Sequence, residues 1–342
     1  MRASYGVIMG KSDVISCNVM DNPAYFADTI NNGLFGGKEL VRPENLRELD
    51  STESAILEDA FKDIVPFKKE RDILKRAKFL RDDVATYVII GIENQTEIDY
   101  AMPVRNFCYD ALRYVKQIEA ISSANRTSAA NGKKSSLSKA EFLSGIRKDD
   151  KIEPIITLTV YYGTKEWDGP LSLHEMFSDQ VSPEILSLVS DYRVNLLEPK
   201  KISSWVNFKT DVGILFELIS ASDKKNGIKE LVMNSPERYS DVNNDIIRAI
   251  NFYTKCKLPV NELEESTNMC YAWESSMNEA KDEGREEGRV EGRVEGREEG
   301  KEELMQLFSW LKEAGRLEEA IAIMDQENID LRNKLFEEFK AN

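Results

Sequence analysis

The pattern of apolar and polar positions predicts a mixed α/β protein. Residues 1–20 carry no clear repeat and are predicted to form an extended leader. Across 22–36, apolar side chains recur at every fourth position behind Asn22 and Pro23, which predicts a capped helix. A weaker helical pattern covers 51–62.

Four further segments have the composition of strands. The first surrounds 71–75, and the second is the apolar, β-branched run ATYVIIGI at 85–92, which is typical of a buried strand. The segments 155–162 and 192–197 are predicted to be two more strands. Because helical patterns separate these strands, we expect a mixed sheet flanked by helices.

Residues 102–118 form the strongest amphipathic pattern of the chain. Apolar residues fill one arc of the helix, as expected of a stripe that faces a core; they are Phe107, Cys108, Ala111, Leu112, Val115 and Ile118. An opposed arc holds Arg105, Tyr109, Arg113 and Lys116. This second arc is either a solvated face or a surface that contacts DNA.

The second half of the chain is largely helical in pattern. Residues 122–138 are polar and are predicted to form a flexible insertion, which ends at a capping box between Ser138 and Glu141. A helical region is expected over 206–280.

A glycine repeat dominates the C-terminal part. Glycine occurs at every fourth position of 284–300, in the sequence GREEGRVEGRVEGREEGKEE. Five glycines inside a helix cost about 5 kcal/mol relative to alanine. Two interpretations stay open for 281–303: a helix that packs closely against a partner copy, or a flexible charged linker. Residues 304–342 return to an amphipathic helical pattern.

Composition excludes several classes of protein. The chain has 342 residues, 41% of them hydrophobic, which is enough for a packed core. His174 is the only histidine, so a site with two histidine ligands is impossible, and neither a GxGxxG nor a P-loop motif occurs. Four scattered cysteines and the absence of an export signal or membrane span favour a cytoplasmic protein.

The net charge of −15 is unevenly distributed along the chain. Residues 274–342 hold 11 Lys and Arg and 20 Asp and Glu, so most of the acidity belongs to the tail. Nucleic-acid binding depends on local clusters, and the low overall pI therefore does not exclude DNA as a partner of the body.

The acidic residues near the buried strand suggest metal chemistry. Glu93 directly follows the apolar run VIIGI, and Asp72 lies in the preceding strand candidate among several lysines and arginines. Two carboxylates brought together by a hairpin repel each other, and a divalent cation removes that penalty. With basic residues nearby to attract phosphate, this combination predicts metal-assisted hydrolysis of phosphodiester bonds.

The same residues resemble a known family. The segments ERDILK and YVIIGIENQTEIDYAMPVRNFCYDALRYVKQ, within 70–117, are similar to the PD-(D/E)XK nuclease family transposases, also called the Rpn recombination-promoting nucleases. The similarity extends upstream over FADTINNGLFGGKELVRPENLRELD and downstream over TVYYGTKEWDGPLSLHEMF and the glycine repeat, so it covers most of the chain.

The resemblance implies a fold, an activity and a set of site residues. It implies a restriction-endonuclease-like core over 20–205 and a Mg²⁺-dependent DNA endonuclease that promotes recombination. By analogy, Asp72 and Glu93 hold the cation, the Asn94 carbonyl is a further ligand, and Gln95 occupies the place of the catalytic lysine. Asp72, Glu93 and Gln95 are thus the expected catalytic residues. Arg71 replaces the proline of the family motif.

Two further expectations concern partners. Lys75, Arg105, Tyr109 and Lys116 are the candidate DNA contacts, and the C-terminal helical arm is expected to form homo-oligomers. The alternative is a non-catalytic DNA-binding or self-assembling protein that retains the nuclease fold.

Overall fold

The computed structural model describes most of the chain as two compact units, Met1–Trp273 and Glu274–Asn342. The residues described are 11–49, 73–81, 84–130, 137–163, 165–202, 204–325 and 328–341.

The first unit alternates helices and strands, and the second is helical. The strands are β1 (Leu46–Glu48), β2 (Ile73–Arg81), β3 (Val84–Gln95), β4 (Ile155–Tyr161), β5 (Asn195–Leu197), β6 (Val242–Asn243) and β7 (Ser266–Thr267). The helices are α1 (Lys11–Asp21), α2 (Pro23–Phe35), α3 (Met102–Ala130), α4 (Lys139–Ser144), α5 (Pro183–Leu186), α6 (Val212–Ala221), α7 (Gly227–Asn234), α8 (Asn244–Thr254), α9 (Met269–Glu313), α10 (Leu317–Ala322) and α11 (Ile329–Ala341).

A five-stranded mixed sheet organises the first unit. Its strand order is β1-β2-β3-β4-β5, with β1, β2 and β3 antiparallel and β4 and β5 parallel to β3. The connection from β3 to β4 contains the long helix α3, as a parallel pair requires. The predicted α/β class with a mixed sheet and flanking helices is therefore confirmed.

One face of this sheet carries the apolar core. Ile90 and Ile92 of β3 and Leu158 and Val160 of β4 all lie in it, fully buried. Helices α1, α2, α6, α7 and α8 contribute residues to the same core. The region 206–280 was predicted as a separate helical part, but its residues up to Trp273 pack in one core with the sheet.

The opposite face of the sheet is mixed, and beneath α3 it carries polar side chains that hydrogen-bond to the helix. Asn106 Nδ2 donates to Thr159 Oγ1 at 3.0 Å, and Thr157 Oγ1 donates to Asp110 Oδ1 at 2.7 Å. The Tyr192 hydroxyl donates to the other oxygen of Asp110 at 2.6 Å. Helix α3 is therefore joined to the sheet by hydrogen bonds that satisfy buried polar groups.

The apolar arc of α3 consequently faces outward. Phe107, Val115 and Ile118 are 48%, 43% and 37% exposed. The expectation that this arc faces the core is wrong, because the sheet beneath the helix presents Thr157, Thr159 and Glu93 to its polar side.

Other predictions are confirmed or corrected at the level of single elements. Asn22 caps α2, accepting from Ala24 N at 2.9 Å, and Ser138 and Glu141 form the expected capping box. The predicted extended leader is helical from Lys11 onward, as α1. The predicted flexible insertion is helical as far as the end of α3. The helix expected over 51–62 lies outside the described residues.

The second unit contains a small helical core of its own. Its buried residues are Leu307, Leu311, Ala320, Ile323 and Leu335. The glycine repeat is helical within α9, and an added Cβ at any of its five glycines would meet no atom within 4 Å. Among the described helices, none combines the length and apolar character that a membrane crossing needs.

Candidate active site around Glu93

Glu93 lies near the end of β3, in the middle of the sheet. The β-branched run before it builds a central strand, in which residues alternate between the two faces. Ile92 and Asn94 point to one side, while Glu93 and Gln95 point to the polar side covered by α3. The Glu93 residue is fully buried, and Gln95 Nε2 donates to its Oε1 at 3.1 Å. The predicted pairing of these two side chains on one face is present.

Arg105, in the first turn of α3, supplies the charge opposite Glu93. Its Nη2 donates to Glu93 Oε1, and its Nη1 donates to Asp99 Oδ2 at 2.7 Å. Burial opposes the charged guanidinium, but the attraction of Glu93 and the hydrogen bond to Asp99 outweigh it and raise the pKa of Arg105. The pair is a buried salt bridge, in which each charge depends on the other.

Asp99 was not among the residues that the sequence suggested. Besides binding Arg105, its Oδ1 accepts from Ala101 N at 2.9 Å, just before α3 begins. An aspartate a few residues ahead of a helical pattern is a start signal. That signal was readable in the sequence, but the ion pair with Arg105 was not.

Asn94 divides its polar groups between two directions. Its side-chain Oδ1 accepts from the Tyr162 hydroxyl at 3.0 Å, on the core side of the sheet. Gln95 O accepts from Tyr162 N at 2.8 Å, toward β4. Because successive carbonyls of a strand point to opposite sides, the Asn94 carbonyl points toward β2. The ligand predicted at Asn94 is this main-chain carbonyl oxygen, because the side-chain Oδ1 is directed to the core side of the sheet.

The predicted partner of Glu93 lies outside the described residues. Asp72 directly precedes Ile73, which is the first described residue of β2 and is paired with Ile92. Within the described part of the chain, no group of three or more His, Cys, Asp or Glu side chains is arranged to hold a metal ion. Glu93 and the Asn94 carbonyl are thus the described members of the proposed ligand set.

Two of the predicted DNA contacts are inside the protein. Lys75 is buried, and its Nζ donates to Asp21 O at 2.8 Å and to Glu48 Oε1 at 3.4 Å. Tyr109 belongs to α3 itself, and its side chain is buried. Both lie where a DNA backbone does not reach, so we correct the predicted contact set by removing them.

The remaining two candidates are more accessible. Arg105 is partly buried and engaged by Glu93 and Asp99, and Lys116 is half-buried on α3. They are the positive side chains of the predicted set that stay available to a phosphate.

Comparison of the chain with protein-family models, with curated proteins and with solved structures gives no match.

Proposed function

We propose that the chain is a divalent-metal-dependent DNA endonuclease with a restriction-endonuclease-like PD-(D/E)XK core. The observation that carries the proposal is the fully buried carboxylate of Glu93, beside Gln95, at the end of the central strand. The order of elements is in keeping with it, since β1, β2 and β3 form antiparallel neighbours and β4 follows a crossover helix and runs parallel to β3. Cleavage by this site would promote recombination.

The donor set suits a hard cation. Carboxylate and carbonyl oxygens are the ligands that Mg²⁺ prefers, with water completing its shell. Glu93, the Asn94 carbonyl and Asp72 would hold the ion. When bound, it would activate a water molecule and stabilise charge on the phosphate.

The other residues of the site act on water and phosphate. Gln95 has an amide that can hydrogen-bond the attacking water, and it carries no charge of its own. Positive charge for the transition state must therefore come from a second group. Arg105, which is next to Glu93, is placed to supply it, and Lys116 is the further candidate on the same helix.

Plasmid nicking in Mg²⁺ tests this proposal. We expect Glu93→Gln and Asp72→Asn each to lower the rate by about 100-fold or more, because the loss of several kcal/mol of charge stabilisation costs a factor of ten per 1.4 kcal/mol. Glu119→Gln, an exposed glutamate on α3, is the matched control and should cleave like the wild type. Equal rates for all four proteins would reject the nuclease.

A non-catalytic DNA-binding or self-assembling protein is the second candidate. The engagement of Glu93 by Arg105 favours it, since a permanent ion pair would leave no carboxylate for a cation. Gel-shift titration of duplex DNA in EDTA and in Mg²⁺ separates the two. Metal-independent binding without any nicking would support the second candidate.

A further inference from the structure

We propose that Arg105 is an internal counter-ion that neutralises Glu93 while no metal is bound and moves away from it when a divalent cation binds. The inference rests on the proposed function, because it assigns a regulatory contact to the same site. Arg105 is in this view a positioning residue that controls metal affinity.

The first argument is the cost of an isolated charge. Glu93 is 0% exposed, and a buried carboxylate without an opposite charge is strongly unfavourable. Arg105 donates to its Oε1 and brings a positive charge against it. In the absence of metal, this ion pair favours the charged form of the carboxylate inside the protein.

The second argument is that the guanidinium is incompletely satisfied. It binds Glu93 and Asp99 through its two terminal nitrogens and has a further hydrogen bond with Tyr109, but its buried Nε has no hydrogen-bond partner among the described residues. A buried donor left without an acceptor makes a hydrogen-bonded arrangement less favourable. The position of Arg105 against Glu93 is therefore a compromise rather than an optimum.

The third argument is that Arg105 has another position to occupy. Asp99 holds the outer end of the guanidinium, and its side chain is 28% exposed, against 0% for that of Glu93. Arg105 itself is 16% exposed. If it released Glu93, it would stay attached to Asp99 at the rim, where its charge could meet a phosphate.

A cation and Arg105 then compete for one carboxylate. A divalent ion on Glu93 would repel the guanidinium a few ångströms away, and this repulsion is strong where water is excluded. Metal binding has to displace the ion pair, so the pair lowers the metal affinity. Displacement in turn carries positive charge to the rim, which couples metal binding to phosphate binding.

Calorimetric titration of the full-length protein with Mn²⁺ measures the competition. We expect Arg105→Met to bind Mn²⁺ at least about 10-fold more tightly than the wild type, with Arg105→Lys between them, since lysine keeps the charge but loses the planar fork. Arg76→Met is the matched control. This arginine of β2 forms an ion pair with Glu153, and its loss should leave the affinity unchanged.

Thermal unfolding of the same variants gives an independent readout. In EDTA, Arg105→Met should melt below the wild type, and saturating Mn²⁺ should raise its melting temperature more than that of the wild type. The double variant Glu93→Gln/Arg105→Met should regain stability in EDTA and show no such rise. Should Arg105→Met fail to fold, Arg105→Lys and Glu93→Gln give the same comparison.

The outcomes separate the two proposals. Mn²⁺ binding that depends on Glu93 but is no tighter in Arg105→Met and Arg105→Lys would overturn this inference and leave the nuclease proposal standing. No Mn²⁺ binding to any of the proteins would overturn both.

Discussion

Asp28 joins the beginning of the first unit to a segment far along the chain. It lies buried on α2, and its Oδ2 accepts from Lys209 N and Thr210 N, both at 2.8 Å, and from Thr210 Oγ1 at 2.7 Å. The side chain thus holds the backbone just before α6.

Replacement of Asp28 should therefore be costly. Asp28→Ala leaves two backbone N–H groups and one hydroxyl, in partly buried hydrogen bonds, without their acceptor, and we expect a loss of about 2–4 kcal/mol in the free energy of unfolding. Asp28→Asn retains one acceptor oxygen and should cost less. Urea denaturation followed by circular dichroism measures both.

The matched control is Asp223, an aspartate whose side chain is half-exposed and pairs with Lys200 at the surface. Asp223→Ala should change the stability by less than about 1 kcal/mol, as is usual for such pairs. A similar loss for Asp28→Ala and Asp223→Ala would contradict the role assigned to Asp28.

Lys75 and Arg105 show what residue type alone can predict. Both were expected at a surface because they are basic and lie near the candidate acids. Their actual partners, Asp21 and Glu48 for Lys75 and Glu93 for Arg105, are 12 to 54 positions away in sequence. The residue types showed that charged side chains gather in this part of the chain. Which of them bind each other depends on the register of the sheet, and the sequence alone does not give that register.

At the scale of elements, the sequence predicted where helices and strands lie along the chain, but it did not predict which face of α3 meets the sheet. The central strand, α2 and its cap, and the beginning of α3 all lie where hydrophobic spacing placed them. The orientation of α3 was wrong because periodicity does not tell which arc meets the sheet. The alternation of Thr157, Leu158, Thr159 and Val160 in β4 was the available signal, since it makes one face of the sheet polar.

The site was predictable to a similar extent. A carboxylate that ends a buried apolar run is unusual, and this made Glu93 identifiable from sequence. The contact with Gln95 follows from the two-residue period of a strand. The involvement of Asp99 could not be derived, because it depends on how α3 begins relative to β3.

The glycine repeat gives α9 a specific weakness. Since nothing lies within 4 Å of an added Cβ at Gly288 or Gly292, alanine fits at both positions. Gly288→Ala and Gly292→Ala should each stabilise the helix by about 1 kcal/mol. Slower amide hydrogen exchange over 284–300 in the full-length protein would show this.

Gly315 provides the opposite case in the same unit. It follows the end of α9 with a φ of +76°, a conformation that strains any residue with a Cβ. Gly315→Ala should therefore destabilise the second unit, although open space surrounds this position too. Unchanged exchange in the repeat variants together with no effect of Gly315→Ala would argue against a folded helix here.

At the scale of the whole molecule, charge and structure divide at the same place. The boundary between the two units falls between Trp273 and Glu274, and residues 274–342 carry −9 of the net charge of −15. The apolar core of the first unit is built from residues no later than Trp273. The first unit can thus be separated from the tail without removing any of its buried side chains.

Deletion of residues 282–342 tests the tail as the element of self-association. We propose that α9 joins copies of the chain, so the shortened protein should sediment as a monomer where the full-length protein forms an oligomer. Its melting temperature should stay close to that of the first unit in the full-length protein, because the core is intact. Analytical ultracentrifugation and differential scanning calorimetry measure the two quantities.

A second deletion distinguishes the repeat from the small helical core that follows it. Removal of 304–342 leaves all five glycines in place but eliminates Leu307, Leu311 and the other buried residues of the second unit. If the repeat itself packs between copies, this protein remains associated. If the protein without 304–342 is a monomer like the protein without 282–342, the C-terminal core is responsible for the association. If the full-length protein is monomeric at every concentration, the tail does not mediate self-association and is a charged extension. The two cuts of a double-strand break would then require separate encounters with DNA.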